Sequence, residues 1–237
     1  MTPVRAVAFD VDGTLVDSEP LHLKALQAVC QAHGVDISDH GPSPFVGVAI
    51  AGVWRELAPR FEHALGHHPD QGEQVFRSAV TRHYLTWVHD VQVLPGAREA
   101  LAHLQRQGIV LAAVSNSERA IVEANLQAVG AAQAFGAVVS LDDVHDPKPA
   151  PEPYARALAL LGVPPAAAWA VEDSASGAHS ARAAGLRVLV VGSDLRAQGD
   201  HRLPGLTQFV PWWASIVSHG HTAARESARL AATGVNA

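Results

Sequence analysis

The feature that most restricts this chain is a short apolar run that stops at two aspartates. Residues 4 to 9 read Val-Arg-Ala-Val-Ala-Phe, and Asp10-Val11-Asp12-Gly13-Thr14 follows at once. An apolar run of this length, β-branched at two positions, predicts a strand covered on both faces, as in the parallel sheets of α/β proteins. A carboxylate at the C-terminal end of such a strand faces the crevice where open α/β sheets bind ligands. Asp10 and Asp12 fall on one side of an extended backbone, because strand side chains repeat every second residue. Two carboxylates so close repel unless a cation lies between them, and hard oxygen donors suit Mg²⁺. Gly13 permits a sharp turn, and Thr14 brings a hydroxyl to the same place. The plain alternative is that an Asp-x-Asp pair merely solvates a strand end.

Beyond Asp17 the pattern turns helical. Ser18-Glu19-Pro20 predicts a helix start, and Leu21, Leu23, Leu26, Val29 and Cys30 form an apolar stripe that ends near Gly34. A loop with Pro42 and Pro44 leads to Phe45-Val46-Gly47-Val48, with further helices expected at about 50–64 and 71–89. No convincing buried strand occurs between 18 and 90, so this block reads as a helical insertion. From Val93 strands and helices alternate again. A helix runs from Leu94-Pro95-Gly96 to about Gln107, with Gly108 as its stop. Strands are expected at 109–114, 137–140, 168–171 and 187–191, separated by helices ending near Val129, covering Tyr154, Leu158 and Leu161, and spanning 177–184. Alternation of this kind implies a doubly wound parallel sheet. Three of its strands end in polar groups, Asp10-x-Asp12, Ser115-Asn116-Ser117 and Glu172-Asp173-Ser174, which can converge on one crevice.

The string DVDGTLVDSEPLH resembles the first motif of the haloacid dehalogenase (HAD) superfamily, in its branch of small phosphatases and β-phosphoglucomutase-like enzymes. Ser115 in AAVSNS is similar to the second motif, Lys148 in DPKPAPEPY to the third, and Glu172-Asp173 in AVEDSASGAHSARAAG to the fourth. The motifs stand in the family's order, and the resemblance runs from residue 4 to about 192. It implies a Rossmann-like core of residues 1–17 and 91–215, a helical cap of residues 18–90, and a C-terminal tail from 216 to 237. It also implies roles. Asp10 would be the nucleophile and Asp12 the proton donor and later the base. Lys148 would neutralise charge, while Ser115, Asn116, Thr14 and His22 would serve the phosphate or substrate. Asp10, Asp12 (through its backbone carbonyl), Glu172 and Asp173 would hold Mg²⁺. Taken alone, Ser115 is a helix cap, Lys148 a solvated loop residue and Glu172-Asp173 a surface pair.

The expected function is a Mg²⁺-dependent phosphatase acting on a small phosphorylated metabolite, of the sugar-phosphate or phosphoglycolate type, through an aspartyl-phosphate. An acid at position 12 argues against dehalogenase chemistry, which lacks one there. Lys24 is the one lysine between the first and second motifs, without the surroundings of a Schiff-base lysine. The harder rival is a phosphosugar mutase, whose cap loop carries cations for a second phosphate. The matching stretch, Val46-Gly47-Val48-Ala49-Ile50, has none, although His22 matches a mutase hinge histidine and Arg55 lies a turn further on. A third reading is a non-catalytic binding module on the same fold.

Composition narrows the partners. A net charge of -6 with no basic stripe argues against a nucleic-acid groove. No apolar run reaches membrane length and no leader pattern precedes the first strand, so the expectation is a soluble cytoplasmic protein, monomer or homodimer. The single cysteine, Cys30, has no disulfide partner and reads as a buried hydrophobe. Trp212 and Trp213 are expected to pack on the core or a neighbouring subunit. The paired His67-His68 and the later His219 and His221 lack zinc-like spacing.

Overall fold

The computed structural model describes residues 3–40, 45, 50–65 and 72–216. The apolar loop at 46–49, the prolines at 42 and 44, His67-His68, His219, His221 and the tail from 217 lie outside the described residues.

Strand β1 (Ala6–Phe9) is fully buried and forms the middle of a six-stranded sheet. Its partners are β4 (Val110–Val114) and β6 (Ala168–Glu172), both parallel, with Phe9 opposite Ala113 and Val171. β5 (Phe135–Val139) flanks β4, and β7 (Arg187–Val191) and β8 (His201–Leu203) extend the other side, all parallel. The order β5-β4-β1-β6-β7-β8 brings the C-terminal ends of β4, β1 and β6 side by side.

The period of two along these strands sorts the core into two layers. Val7, Phe9, Leu111, Ala113, Trp169 and Val171 face one side, together with Leu101 and Leu104 of α4 (Ala97–Arg106) and Val122 and Leu126 of α5 (Arg119–Val129). Ala6, Ala8, Ala112, Ala168 and Ala170 face the other, against Tyr154 and Leu158 of α6 (Glu152–Leu161) and Ala178 and Ala181 of α7 (Ala175–Ala183). Small side chains on this second face let the helices approach closely, which gives a packing reason for much of the alanine in the chain. Trp213, in the helix at 209–216, is fully buried and its indole N–H donates to Gln107 Oε1 at 2.7 Å.

Between Asp17 and Gln92 stand α1 (Glu19–Ala32), α2 (Ile50–Leu65) and α3 (Gly72–Thr86). They carry their own aromatic centre, where the rings of Trp54, Phe61 and Phe76 lie 5.2 to 5.6 Å apart. The chain enters and leaves this insert through one antiparallel pair, β2 (Val16–Asp17) with β3 (Gln92–Val93).

Two local expectations need correction. The strand placed at 137–140 begins at Phe135 and ends at Val139, and the helix placed over 71–89 stops at Thr86. There the Trp87 N–H bonds Tyr84 O, a three-residue step that tightens into the short turn Val88–Asp90. The pair β2/β3 and the edge strand β8 were not foreseen, being too short to establish a period.

Candidate active site

The floor of the crevice is an ion cluster centred on Lys148. Its Nζ donates to Asp10 Oδ1 at 2.7 Å, Glu172 Oε1 at 2.6 Å and Val114 O at 2.9 Å. Tyr154 OH donates to the same Glu172 Oε1 at 2.5 Å. Burial alone would drive the proton off Lys148, but Asp10 and Glu172 overcome it and raise the ammonium above its ordinary value. Asp10 is pushed well above the usual carboxylate range, first by burial and then by Glu172, Asp173 and Asp12, against the pull of Lys148. Its second oxygen, Oδ2, is buried with no hydrogen-bond partner.

Two glycines make room for the acids. Gly13 has φ +84°, and a Cβ there would lie 2.2 Å from Asp173 Oδ2. A Cβ at Gly177 would lie 2.0 Å from the Glu172 carboxylate.

Asp12 stands at the side of the crevice in a different setting. Ser115 and Ser117 hydroxyls donate to its Oδ2 at 2.9 and 2.8 Å, and Asn125 Nδ2 donates to its Oδ1 at 3.1 Å. His22, in the first turn of α1, has Nε2 3.8 Å from Oδ1 and packs its ring 4.6 Å from that of Tyr84. Burial would raise the Asp12 carboxyl, but the nearby His22 imidazole and the Ser117 hydroxyl hold it well below the usual range.

The remaining predicted residues fall as follows. Asn116 pairs with the Lys148 backbone, donating to its carbonyl at 3.0 Å and accepting from its N–H at 2.9 Å, and so fixes the loop that carries the lysine. Thr14 is buried and its hydroxyl takes no partner among the described residues. Lys24 is half exposed, 3.6 Å from Asp90 Oδ2 and over the Trp87 ring, where it serves no Schiff base at the crevice. Arg55 is exposed on α2. Cys30 is buried, and burial pushes its thiol up to about 11.

Sequence reasoning named Ser117 only as a polar strand-end residue able to reach the crevice, and it missed Tyr154, Asn125 and Tyr84. Asn125 and Tyr84 occupy apolar-periodic helix positions, where only a polar atom out of pattern could have drawn notice.

The residues fit a hard cation. Asp10, Glu172 and Asp173 offer carboxylate oxygens within 4.8 Å of one another, and the unpartnered Asp10 Oδ2 is among the acidic groups there. Asp10, Glu172, Asp173 and, to the side, Asp12 are close enough to act on one another with Lys148 the cation among them, a surplus of acidic groups that a divalent cation would balance. Asp173 is pushed up to about 7, chiefly by burial and next by Glu172. Glu172 lies deepest, with Oε1 already shared by Lys148 and Tyr154, which leaves Asp173 the freer oxygen donor.

A buried carboxylate at the end of the central strand, an ammonium against it and acids fit for a cation define an enzyme equipped for phosphoryl chemistry. The chain matches the haloacid dehalogenase-like hydrolases over residues 4–185 and belongs to that family. It is 35% identical to protein CbbY of Rhodobacter capsulatus over 224 residues, covering 88% of this chain and 98% of that protein. Hexitol phosphatase B of Escherichia coli is 33% identical over 204 residues, covering 84% and 88% respectively. A crystal structure of a CbbY mutant from Rhodobacter sphaeroides in complex with xylulose-(1,5)bisphosphate superposes with a TM-score of 0.69 at 29% identity, covering 86% of this chain and 95% of that one. No helix among the described residues is long and apolar enough to cross a membrane.

Proposed function

We propose that this hydrolase is a Mg²⁺-dependent phosphatase of a small phosphorylated metabolite, working through an aspartyl-phosphate on Asp10. The observation that carries the reading is the Asp10 carboxylate itself. One oxygen is fixed by Lys148 and the other is buried without a partner, so its lone pairs remain available to an incoming phosphorus or cation.

Asp10 attacks phosphorus, and the bond from phosphorus to the ester oxygen breaks. Asp12, ionised at rest, must first take a proton from solvent, and the departing oxygen then receives that proton from its carboxyl. A water then gives its proton back to Asp12 while attacking the aspartyl-phosphate, which frees phosphate and restores Asp10. Lys148 offsets the negative charge gathered at the phosphoryl group. By the family resemblance, the Ser115 hydroxyl would turn from Asp12 Oδ2 to receive a phosphoryl oxygen. Asp10, Asp173 and the Asp12 backbone carbonyl, with Glu172 supporting from beneath, would hold Mg²⁺. Bound there, the ion would neutralise charge on the phosphoryl oxygens. Residues 18–90 act as a cap that closes over the substrate on a core formed by 1–17 and 91–215.

The names of the relatives favour a sugar or polyol phosphate: hexitol phosphatase B, and CbbY bound to xylulose-(1,5)bisphosphate. The test is phosphate release with Mg²⁺ from hexitol 6-phosphates, xylulose 1,5-bisphosphate, phosphoglycolate and β-glucose 1-phosphate. The last is primed with a trace of β-glucose 1,6-bisphosphate while glucose 6-phosphate is followed. Free phosphate without isomerisation is expected. Isomerisation without phosphate would make the protein a mutase, and no turnover of any compound would overturn the reading.

A further inference from the structure

We propose that Asn125 is a positioning residue for the Asp12 carboxyl, and that Tyr84 makes this grip depend on the docking of the helical insert. The inference rests on Asp12 as proton donor and acceptor in the reaction above.

Asn125 has no exposed surface, and it sits on α5 among the buried Ile121, Val122, Leu126 and Val129. A side-chain amide at such a place is costly unless both its ends are hydrogen-bonded. Both are: Nδ2 donates to Asp12 Oδ1 at 3.1 Å, and Oδ1 accepts from Tyr84 OH at 2.9 Å. An ionised carboxylate can only accept, so the NH₂ end must face Asp12 and the carbonyl end must face a donor. Tyr84, itself fully buried, is that donor.

The two bonds cross the boundary between the parts of the molecule. Asp12 and Asn125 belong to the sheet and its helix, whereas Tyr84 is on α3 of the insert. Ser115 and Ser117 hold only Asp12 Oδ2, and both come from the loop after β4. The other face of the carboxyl is therefore set from the insert's side, through Tyr84 and Asn125 and beside His22. If the insert moves off, the Asn125 carbonyl loses its donor and the amide is free to turn. Asp12 then keeps its hydroxyl contacts but loses the amide. Docking of the insert thus assembles the geometry for proton transfer as well as excluding water.

The test compares kcat/KM for benzyl phosphate and p-nitrophenyl phosphate in the full chain with Mg²⁺. The benzyl oxygen needs a proton to leave and the nitrophenolate does not, so a fault in proton delivery falls on the first ester alone. Asn125→Leu, close in shape and unable to hydrogen-bond, is expected to lose about 10²-fold on benzyl phosphate and less than about fivefold on p-nitrophenyl phosphate. Tyr84→Phe, which removes one oxygen, is expected to lose roughly five- to tenfold with the same selectivity. Equal losses on both esters, or no loss on either, would overturn the proposal. If Asn125→Leu does not fold by circular dichroism, Tyr84→Phe decides it. Asp12→Asn is the control for the underlying reaction. If that variant lacks the selectivity, the assignment of Asp12 as the acid fails; if it has the selectivity and the Asn125 and Tyr84 variants do not, only the present inference fails.

Discussion

Asp10 and Asp12 are two residues apart, yet they belong to opposite electrostatic worlds. Asp10 lies on the floor, where burial first and the crowding acids next drive its carboxyl up against the pull of one ammonium. Asp12 lies on the side wall, and histidine, hydroxyl and amide donors hold its carboxyl down. The floor is made by the sheet, its loops and Tyr154 of α6, while the wall is completed by the helical insert. The difference teaches that proximity in sequence decides little about a carboxylate's chemistry. What decides it is whether its neighbours supply formal charge or hydrogen-bond dipoles.

The comparison can be broken most severely at Asp10. Asp10→Asn should abolish phosphate release, by roughly 10⁴-fold or more, with an unchanged circular dichroism spectrum. A binding role that survived this change would favour the non-catalytic reading. Lys148→Met should cost about 3–5 kcal/mol of stability in urea unfolding as well as activity, because Asp10 and Glu172 would remain buried without their shared cation.

The acid surplus of the floor can be read through pH. Asp173 titrates near 7 in the folded metal-free protein, against 3.8 ordinarily, so the folded chain holds a proton there that the unfolded chain has lost. Its contribution to the stability of the metal-free form should therefore decline as pH rises from about 4 to 7. A cation must displace that proton, so apparent Mg²⁺ affinity should fall by up to about tenfold per pH unit below 7. Thermal unfolding with and without Mg²⁺ checks this, and the gain in Tm should be larger at pH 8 than at pH 5.5. The smallest effect is expected from Tyr154→Phe, which takes one of several donors from Glu172 and should cost about 1–2 kcal/mol in urea unfolding.

The floor was legible in the sequence, and the wall only in part: Asp12, Ser115 and His22 could be named, Tyr84 and Asn125 could not. Asp10, Lys148, Glu172 and Asp173 announce themselves because each breaks an apolar strand or sits in a proline frame. Buried parallel strands are also long enough here to carry their own pattern, so β1, β4, β6 and β7 stand close to where the residues put them. Tyr84 and Asn125 carry no such mark. Tyr84 reads as one more apolar helix position, and Asn125 acquires meaning only when α3, α5 and the turn after β1 meet in space. Asn116 was legible as a member of the site, but not its hold on the Lys148 backbone, which joins residues 32 apart.

One further consequence follows from the antiparallel pair Val16–Val93 and Asp17–Gln92. Because departure and return lie side by side, the whole span between them is a graft on a single point of the scaffold. A short turn joining those two strands would bridge it without rethreading the parallel sheet. On such a plan the insert could be exchanged, enlarged or shortened as one cassette while the parallel sheet and the acid cluster at its strand ends stay as they are.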